Sequence, residues 1–94
     1  MEPEITLEKK FVIRSKLGLH ARPAALFVRT ANRFKSEITI QKGKHKVNGK
    51  SIMGVMMLAA GPGSHVTVRI MGTDAAQAMD EISKLMDGNF GEAP

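Results

Sequence analysis

Two periodicities divide this chain. Apolar and polar positions alternate through Ile38-Thr39-Ile40-Gln41 and again around Val66, Val68 and Ile70, the mark of strands with one buried face. The run from Ile5 to Ile13 predicts a first strand ending at Arg14 or Ser15, with Phe11 and Ile13 on one side. A Gly43-Lys44 corner before His45 to Val47 predicts a hairpin, which supplies strands two and three. Helical spacing takes over at Ala24, Phe27, Val28 and Ala31, predicting a helix from about Ala21 to Asn32 with Arg22, Arg29 and Arg33 off the buried face. Ser51 is a good N-cap for a short helix from Ile52 to about Leu58, which the Gly61-Pro62-Gly63 turn stops. Asp74-Ala75-Ala76-Gln77 has the pattern of a capping box, and Ala75, Met79, Ile82 and Met86 form the stripe of a last helix. Gly88 ends that helix, and residues from about 89 to 94 are expected to form a flexible tail. The order β-α-β-β-α-β-α predicts an α+β, open-faced β-sandwich: a four-stranded antiparallel sheet covered on one face by three helices. The 94 residues read as a single domain with no internal repeat, linker or low-complexity tract.

Composition narrows the chemistry. Cysteine is absent, which fits a reducing compartment and excludes a thiol nucleophile or a cysteine-ligated metal. The opening Met1-Glu2-Pro3-Glu4 carries no basic, apolar leader signature, and no apolar run approaches the ~18 to 20 residues a bilayer requires. A cytoplasmic protein without membrane insertion is expected. The net charge of +5 is unevenly spread: Lys9 to Lys50 holds twelve of the fourteen basic residues and, among acids, only Glu37. Such a field favours acidic partners and phosphoryl groups. Nucleic acid is the usual rival for a small basic domain, but the chain has no Trp or Tyr, and its four Phe fit no base-stacking motif.

The candidate chemistry lies in Gly18-Leu19-His20-Ala21-Arg22-Pro23-Ala24. Pro23 falls in the first turn of the predicted helix, where a missing N–H breaks no intrahelical bond. His20 therefore stands at the N-cap, beside free backbone N–H groups and the positive end of the helix dipole. An anion carried on the imidazole is favoured there by roughly 0.3 to 1 kcal/mol, up to ~2 when partly buried. That is under about two powers of ten, so further charge is needed, and Arg22 supplies a guanidinium two residues along. Gly18 leaves room for an unusual backbone conformation just before the site. The plain alternative is a histidine that serves only as a helix cap.

This heptad resembles the active-site motif of the HPr family, histidine-containing phosphocarriers of the bacterial phosphoenolpyruvate-dependent phosphotransferase system. The block Asn48-Gly49-Lys50-Ser51-Ile52-Met53-Gly54 is similar to the family's regulatory-serine segment, and the resemblance covers nearly the whole chain. It implies that His20 is phosphorylated by Enzyme I, assisted by Arg22, and passes the group to an EIIA-type domain. It implies too that Ser51 is the serine which HPr kinase/phosphorylase modifies in some lineages, and that the protein is a monomer of the HPr fold with no cofactor and no metal. Ile52, Met53 and Met56 match positions of an exposed apolar docking patch, which Ala25, Leu26 and Arg29 would extend around His20. Val55, Leu58 and Met57 are left for the core. Leu17 departs from the Asn or Ser that sugar-system members usually carry three residues before the histidine. The tail Met86-Asp87-Gly88-Asn89-Phe90-Gly91-Glu92 is similar to that of the nitrogen-branch paralogue, NPr. A regulatory binding protein controlled through Ser51, in the nitrogen branch or in catabolite control, is the alternative.

Other constellations carry less. Gly49-Lys50-Ser51 ends like a phosphate-binding loop, but the required first glycine falls on Lys44, so the chain should not bind ATP itself. His45 and His65 have no metal-ligand spacing with His20 and are expected in solvent-facing strands or turns.

Overall fold

The computed structural model describes residues 4–92. Its elements are β1 (Ile5–Val12), α1 (Ala21–Ala31), β2 (Glu37–Lys42), β3 (His45–Asn48), α2 (Ile52–Met57), β4 (His65–Gly72) and α3 (Ala75–Asp87), followed by a 3₁₀ turn at Asn89–Gly91. The strands form one sheet in the order β1-β4-β2-β3, and every neighbouring pair is antiparallel. The predicted α+β architecture is therefore the observed one.

Register follows from alternation. Val68 of β4 lies opposite Ile40 of β2, and Ile40 opposite Val47 of β3, while Ile70 pairs with Ile38 and with Leu7 of β1. These side chains share the inner face, which α1 meets with Ala24, Phe27, Val28 and Ala31 and α3 with Ala75, Ala78, Met79, Ile82 and Met86. Lys9 occupies an inward register position on the edge strand β1. Its ammonium donates to Ser83 Oγ of α3 at 3.2 Å and lies over the Phe11 ring, 5.2 Å from the centroid. The outer face carries Thr39, Gln41, Lys46, Thr67 and Arg69, and no helix among the described residues covers it.

Ile13, expected at the end of the first strand, lies beyond the ladder but is fully buried. Its backbone exchanges hydrogen bonds with the Gly63-Ser64 turn, from Ile13 N to Ser64 O at 2.8 Å and from Gly63 N to Ile13 O at 2.7 Å.

The capping box expected at Asp74 does not form. Asp74 is the N-cap of α3, but its carboxylate makes no bond to its own helix. It accepts instead from the Lys35 amide (2.8 Å), the Ser36 amide (3.0 Å) and the Ser36 hydroxyl (2.5 Å), tying the α1–β2 loop to the start of α3. Gly72 makes this close approach possible, since a Cβ there would lie 2.3 Å from Ser36 Oγ. The Ser36 hydroxyl first, and the Lys35 amide next, hold the Asp74 carboxyl below the usual carboxylate range. A carboxyl depressed in the folded state contributes stability that is fully present above its unfolded pKa and is lost as pH falls through the folded one. Asp74→Asn should accordingly lower Tm at pH 7 by roughly 4–8 °C, the equivalent of about one hydrogen bond's net contribution. Melting curves of the two proteins should converge in acid, below the ordinary carboxylate range.

Candidate functional site

The loop that carries His20 is held from below. Gly18 adopts φ 71°, and Gly18 N bonds Ser15 O at 2.9 Å. Leu19 N donates to Ala60 O at 2.8 Å, and a Cβ on Gly18 would fall 2.3 Å from that same oxygen. The loop thus lies directly on the end of the α2 segment, and only glycine allows the contact.

His20 is the N-cap residue of α1, in extended conformation, and its carbonyl accepts from Ala24 N at 3.0 Å. Its side chain caps nothing. The reading of this histidine as a simple helix cap is therefore set aside. Pro23 is buried in the first turn and brings no N–H, so the amides of Ala21 and Arg22 are the orphan donors beside the ring. The Arg22 side chain is exposed and has no hydrogen bond or ion pair among the described residues.

The ring itself, 32% exposed, lines an open depression of about 430 Å³ with Ser15, Lys16, Leu17 and Glu92. Glu92 Oε2 lies 3.5 Å from His20 Nε2, and Glu92 Oε1 accepts from the buried Ser15 hydroxyl at 2.5 Å. Sequence reasoning misses both Ser15 and Glu92. Residues 89–92 of the segment expected as a flexible tail are in fact folded, whereas 93–94 lie outside the described residues. Asn89, Phe90 and Gly91 take φ of 52°, 56° and 74° in succession, turning the chain back toward the site. Left-handed backbone costs roughly 1–2 kcal/mol for a non-glycine residue, and the burial of Phe90 at 5% exposure, about 2–3 kcal/mol, offsets much of it. An isolated aromatic in a polar, glycine-flanked tail is the signal that could have found this turn.

Ser51 is the N-cap of α2, and its Oγ accepts from Gly54 N at 3.0 Å. It is not beside His20. Asn32 Nδ2 reaches Lys50 O at 3.4 Å and Lys50 Nζ reaches Phe34 O at 2.6 Å, so the start of α2 lies by the end of α1. The Leu19–Ala60 bond places the far end of α2 by the start of α1. The two helices run antiparallel, with His20 and Ser51 at opposite ends of the pair.

Between those ends α2 presents an apolar strip. Ile52, Met53 and Met56 are exposed as expected, and Val55 and Leu58 are buried. Met57, expected in the core, is 77% exposed, because a helix of six residues has a single inward turn and Val55 fills it. Leu17 adds a further exposed apolar side chain at the His20 end, 75% exposed. On α1, Arg29 is exposed and Ala25 half-buried, whereas Leu26 packs partly against the core and offers a partner less surface than expected. His45 and His65 are exposed strand residues, and no group of three His, Asp or Glu that could hold a metal ion occurs among the described residues. Among the same residues, no helix is long and apolar enough to cross a membrane.

Comparison with known proteins agrees with this geometry. The family model described as the PTS HPr component phosphorylation site matches residues 7–87. A phosphocarrier protein HPr from Neisseria meningitidis is 48% identical over 86 residues, covering 92% of this chain and 97% of that protein. An HPr-like protein Crh from Halalkalibacterium halodurans is 54% identical over 76 residues, 81% of this chain and 90% of that one. The crystal structure of HPr-C-His from Thermoanaerobacter tengcongensis superposes with a TM-score of 0.90 at 44% identity, covering 94% of this chain and 99% of that chain. With a family match over most of its length, this sheet and a histidine at the head of α1, the chain belongs to the HPr family of phosphotransferase-system phosphocarrier proteins, which carry a histidine phosphorylation site.

Proposed function

We propose that His20 is the phosphoryl-carrying residue, that Enzyme I is its donor and an EIIA-type domain its acceptor, and that this exchange takes place in the cytoplasm. The observation that carries the reading is the position of His20: its ring is partly exposed at the head of α1, makes no cap bond, and stands beside the amides of Ala21 and Arg22, which have no intrahelical acceptor. An imidazole nitrogen attacks the phosphorus of the donor phosphohistidine in line. The new N–P bond forms as the donor's N–P bond breaks, and the electron pair returns to the donor imidazole. The helix-terminal amides and the Arg22 guanidinium face the phosphoryl oxygens, which carry the charge throughout the transfer. Lys16 lines the same depression and keeps it basic, and the strip of Ile52, Met53, Met56 and Met57 gives partners an adaptable apolar seat. Incubation with Enzyme I, phosphoenolpyruvate and magnesium should add one acid-labile phosphoryl group by intact mass. No addition, with Enzyme I active on another carrier, would remove this reading.

Ser51 supports a second reading, control by HPr kinase/phosphorylase. Its hydroxyl is half-exposed at the end of the apolar strip, so a phosphate there would set a dianion beside a surface that must be desolvated on docking. Ser51→Asp is expected to weaken Enzyme I binding about three- to tenfold, the scale of one like-charge contact at an interface rim, with His20 chemistry intact at saturating Enzyme I. Titration calorimetry measures it. A Ser51→Asp protein that gains affinity for a different regulator, with Enzyme I binding unchanged, would make regulatory binding in the nitrogen branch or in catabolite control the main role.

A further inference from the structure

We propose that the groove between the start of β2 and the edge strand β3 binds a small organic phosphate with a hydroxyl-rich body, the chemical class of a sugar phosphate. Lys35, Lys46 and Lys50 hold the phosphate, and Glu37, Thr39 and Asn48 read the hydroxyls. Lys50 reaches Phe34 O and its carbonyl receives Asn32 Nδ2, so the groove lies at the opposite end of α1 from His20. The proposal does not depend on His20 carrying a phosphoryl group.

Charge is the first observation. The groove encloses about 390 Å³, within the range of small-molecule sites, and three ammoniums and one carboxylate line it. Like charges gathered around one hollow repel each other, and Glu37 relieves none of them, because it forms no ion pair with a lysine among the described residues. The surplus of about two positive charges matches a phosphate monoester, which carries about −1.5 to −2 at pH 7. Lys35 and Lys46 are exposed, and their ammoniums make no hydrogen bond among the described residues. Lys50 is half-buried and donates once, to Phe34 O at 2.6 Å, which fixes its ammonium and leaves two N–H for a ligand.

Both walls are set before any ligand arrives. On the β2 side, the Asp74 carboxylate holds the amides of Lys35 and Ser36. On the β3 side, Gly49 N bonds Ile38 O at 2.7 Å, and a Cβ on Gly49 would lie 2.8 Å from the Ile38 side chain, so the turn sits this close only as glycine. Asn48 Oδ1 accepts from Lys50 N at 2.9 Å, which leaves the Nδ2 donors of Asn48 for the groove that it lines. A site fixed in advance loses less conformational freedom on binding. Glu37 is what separates an ester from bare phosphate. Its carboxylate repels a free dianion but accepts from hydroxyls on an attached body, and the Thr39 hydroxyl both donates and accepts. Val47, half-buried, gives the carbon skeleton an apolar contact. A nucleotide base would call for an aromatic face, and no aromatic side chain lines the groove among the described residues.

The test uses the full chain labelled with nitrogen-15, titrated at constant ionic strength with glucose 6-phosphate, glycerol 3-phosphate, inorganic phosphate and glucose. Amide shifts from the two esters should concentrate at Lys35 to Thr39 and Lys46 to Lys50, with glucose alone causing none. Glucose 6-phosphate should bind about tenfold more tightly than inorganic phosphate, and Lys46→Ala should weaken it about tenfold, the scale of one hydrogen bond to a charged group. Glu37→Gln should do the opposite to the two anions: inorganic phosphate binds more tightly, and the preference for glucose 6-phosphate narrows to about threefold or less. Both positions are exposed, so both variants should melt close to the parent. Shifts confined to the amides of Ala21 and Arg22 would assign phosphate binding to the head of α1 and overturn the proposal. Equal affinity for inorganic phosphate and both esters would reduce the groove to unselective charge and overturn it too, as would the absence of any shift.

Discussion

The His20→Ala protein is expected to accept no detectable phosphoryl group from Enzyme I, a loss of at least about a thousandfold for removal of the attacking group, while melting close to the parent. The two halves of this expectation come from the same geometry. In the proposed role the ring is the nucleophile, and nothing else at the head of α1 would then form the N–P bond. The ring is also only partly buried and caps no amide, whereas the carbonyl of residue 20 still receives Ala24 N after substitution. The stability lost should stay within about 1 kcal/mol. Intact mass under acid-free conditions and a thermal melt settle both halves. Addition of one phosphoryl group at the parent's rate would move the chemistry to His45 or His65, both of which are exposed on strands.

Gly18→Ala should be the most damaging small substitution near the site. At φ 71° an alanine costs roughly 1–2 kcal/mol, and the added methyl would sit 2.3 Å from Ala60 O and 2.8 Å from Gly61 Cα, both backbone atoms. Neither can swing aside as a side chain would. Relief requires the His20 loop to lift from the end of α2, stretching the Leu19–Ala60 bond. Overpacking of this kind adds about 1–3 kcal/mol. The sum, about 2–5 kcal/mol, corresponds to a Tm lower by roughly 8–40 °C for a domain of this size. Phosphoryl acceptance should fall as well, since the loop sets where the ring stands. Gly63→Ala is the control: φ is 84°, but no atom lies within 4 Å of the methyl it would add, so only the conformational cost applies. A Gly18→Ala protein as stable as Gly63→Ala would show that the Ala60 contact does not constrain the loop.

Local pattern carries most of this fold, and the exceptions share a cause. Alternation locates β2 and β4, and helical spacing locates the buried faces of α1 and α3, because each depends on neighbours a few residues away. Asp74 misleads because a cap is a competition. The carboxylate finds three donors in a loop 38 residues distant, and local spacing cannot weigh them against its own helix. Met57 misleads because α2 is so short that its apolar content exceeds what one turn can bury. His20, Arg22 and Pro23 are legible as the head of α1, and so as a candidate site, since a helix start is a local event. Ser15 and Glu92 are not, because their meeting needs 77 residues of chain to fold before either has a partner.

The antiparallel pairing of α1 and α2 has a consequence for information rather than for stability. Under the proposed roles, the cargo and the permission to carry it are written at the two ends of one short ruler, with the apolar strip as the reading surface between them. Neither mark has to reshape the protein to alter the message, because any partner that covers the strip touches both ends at once and responds to their sum.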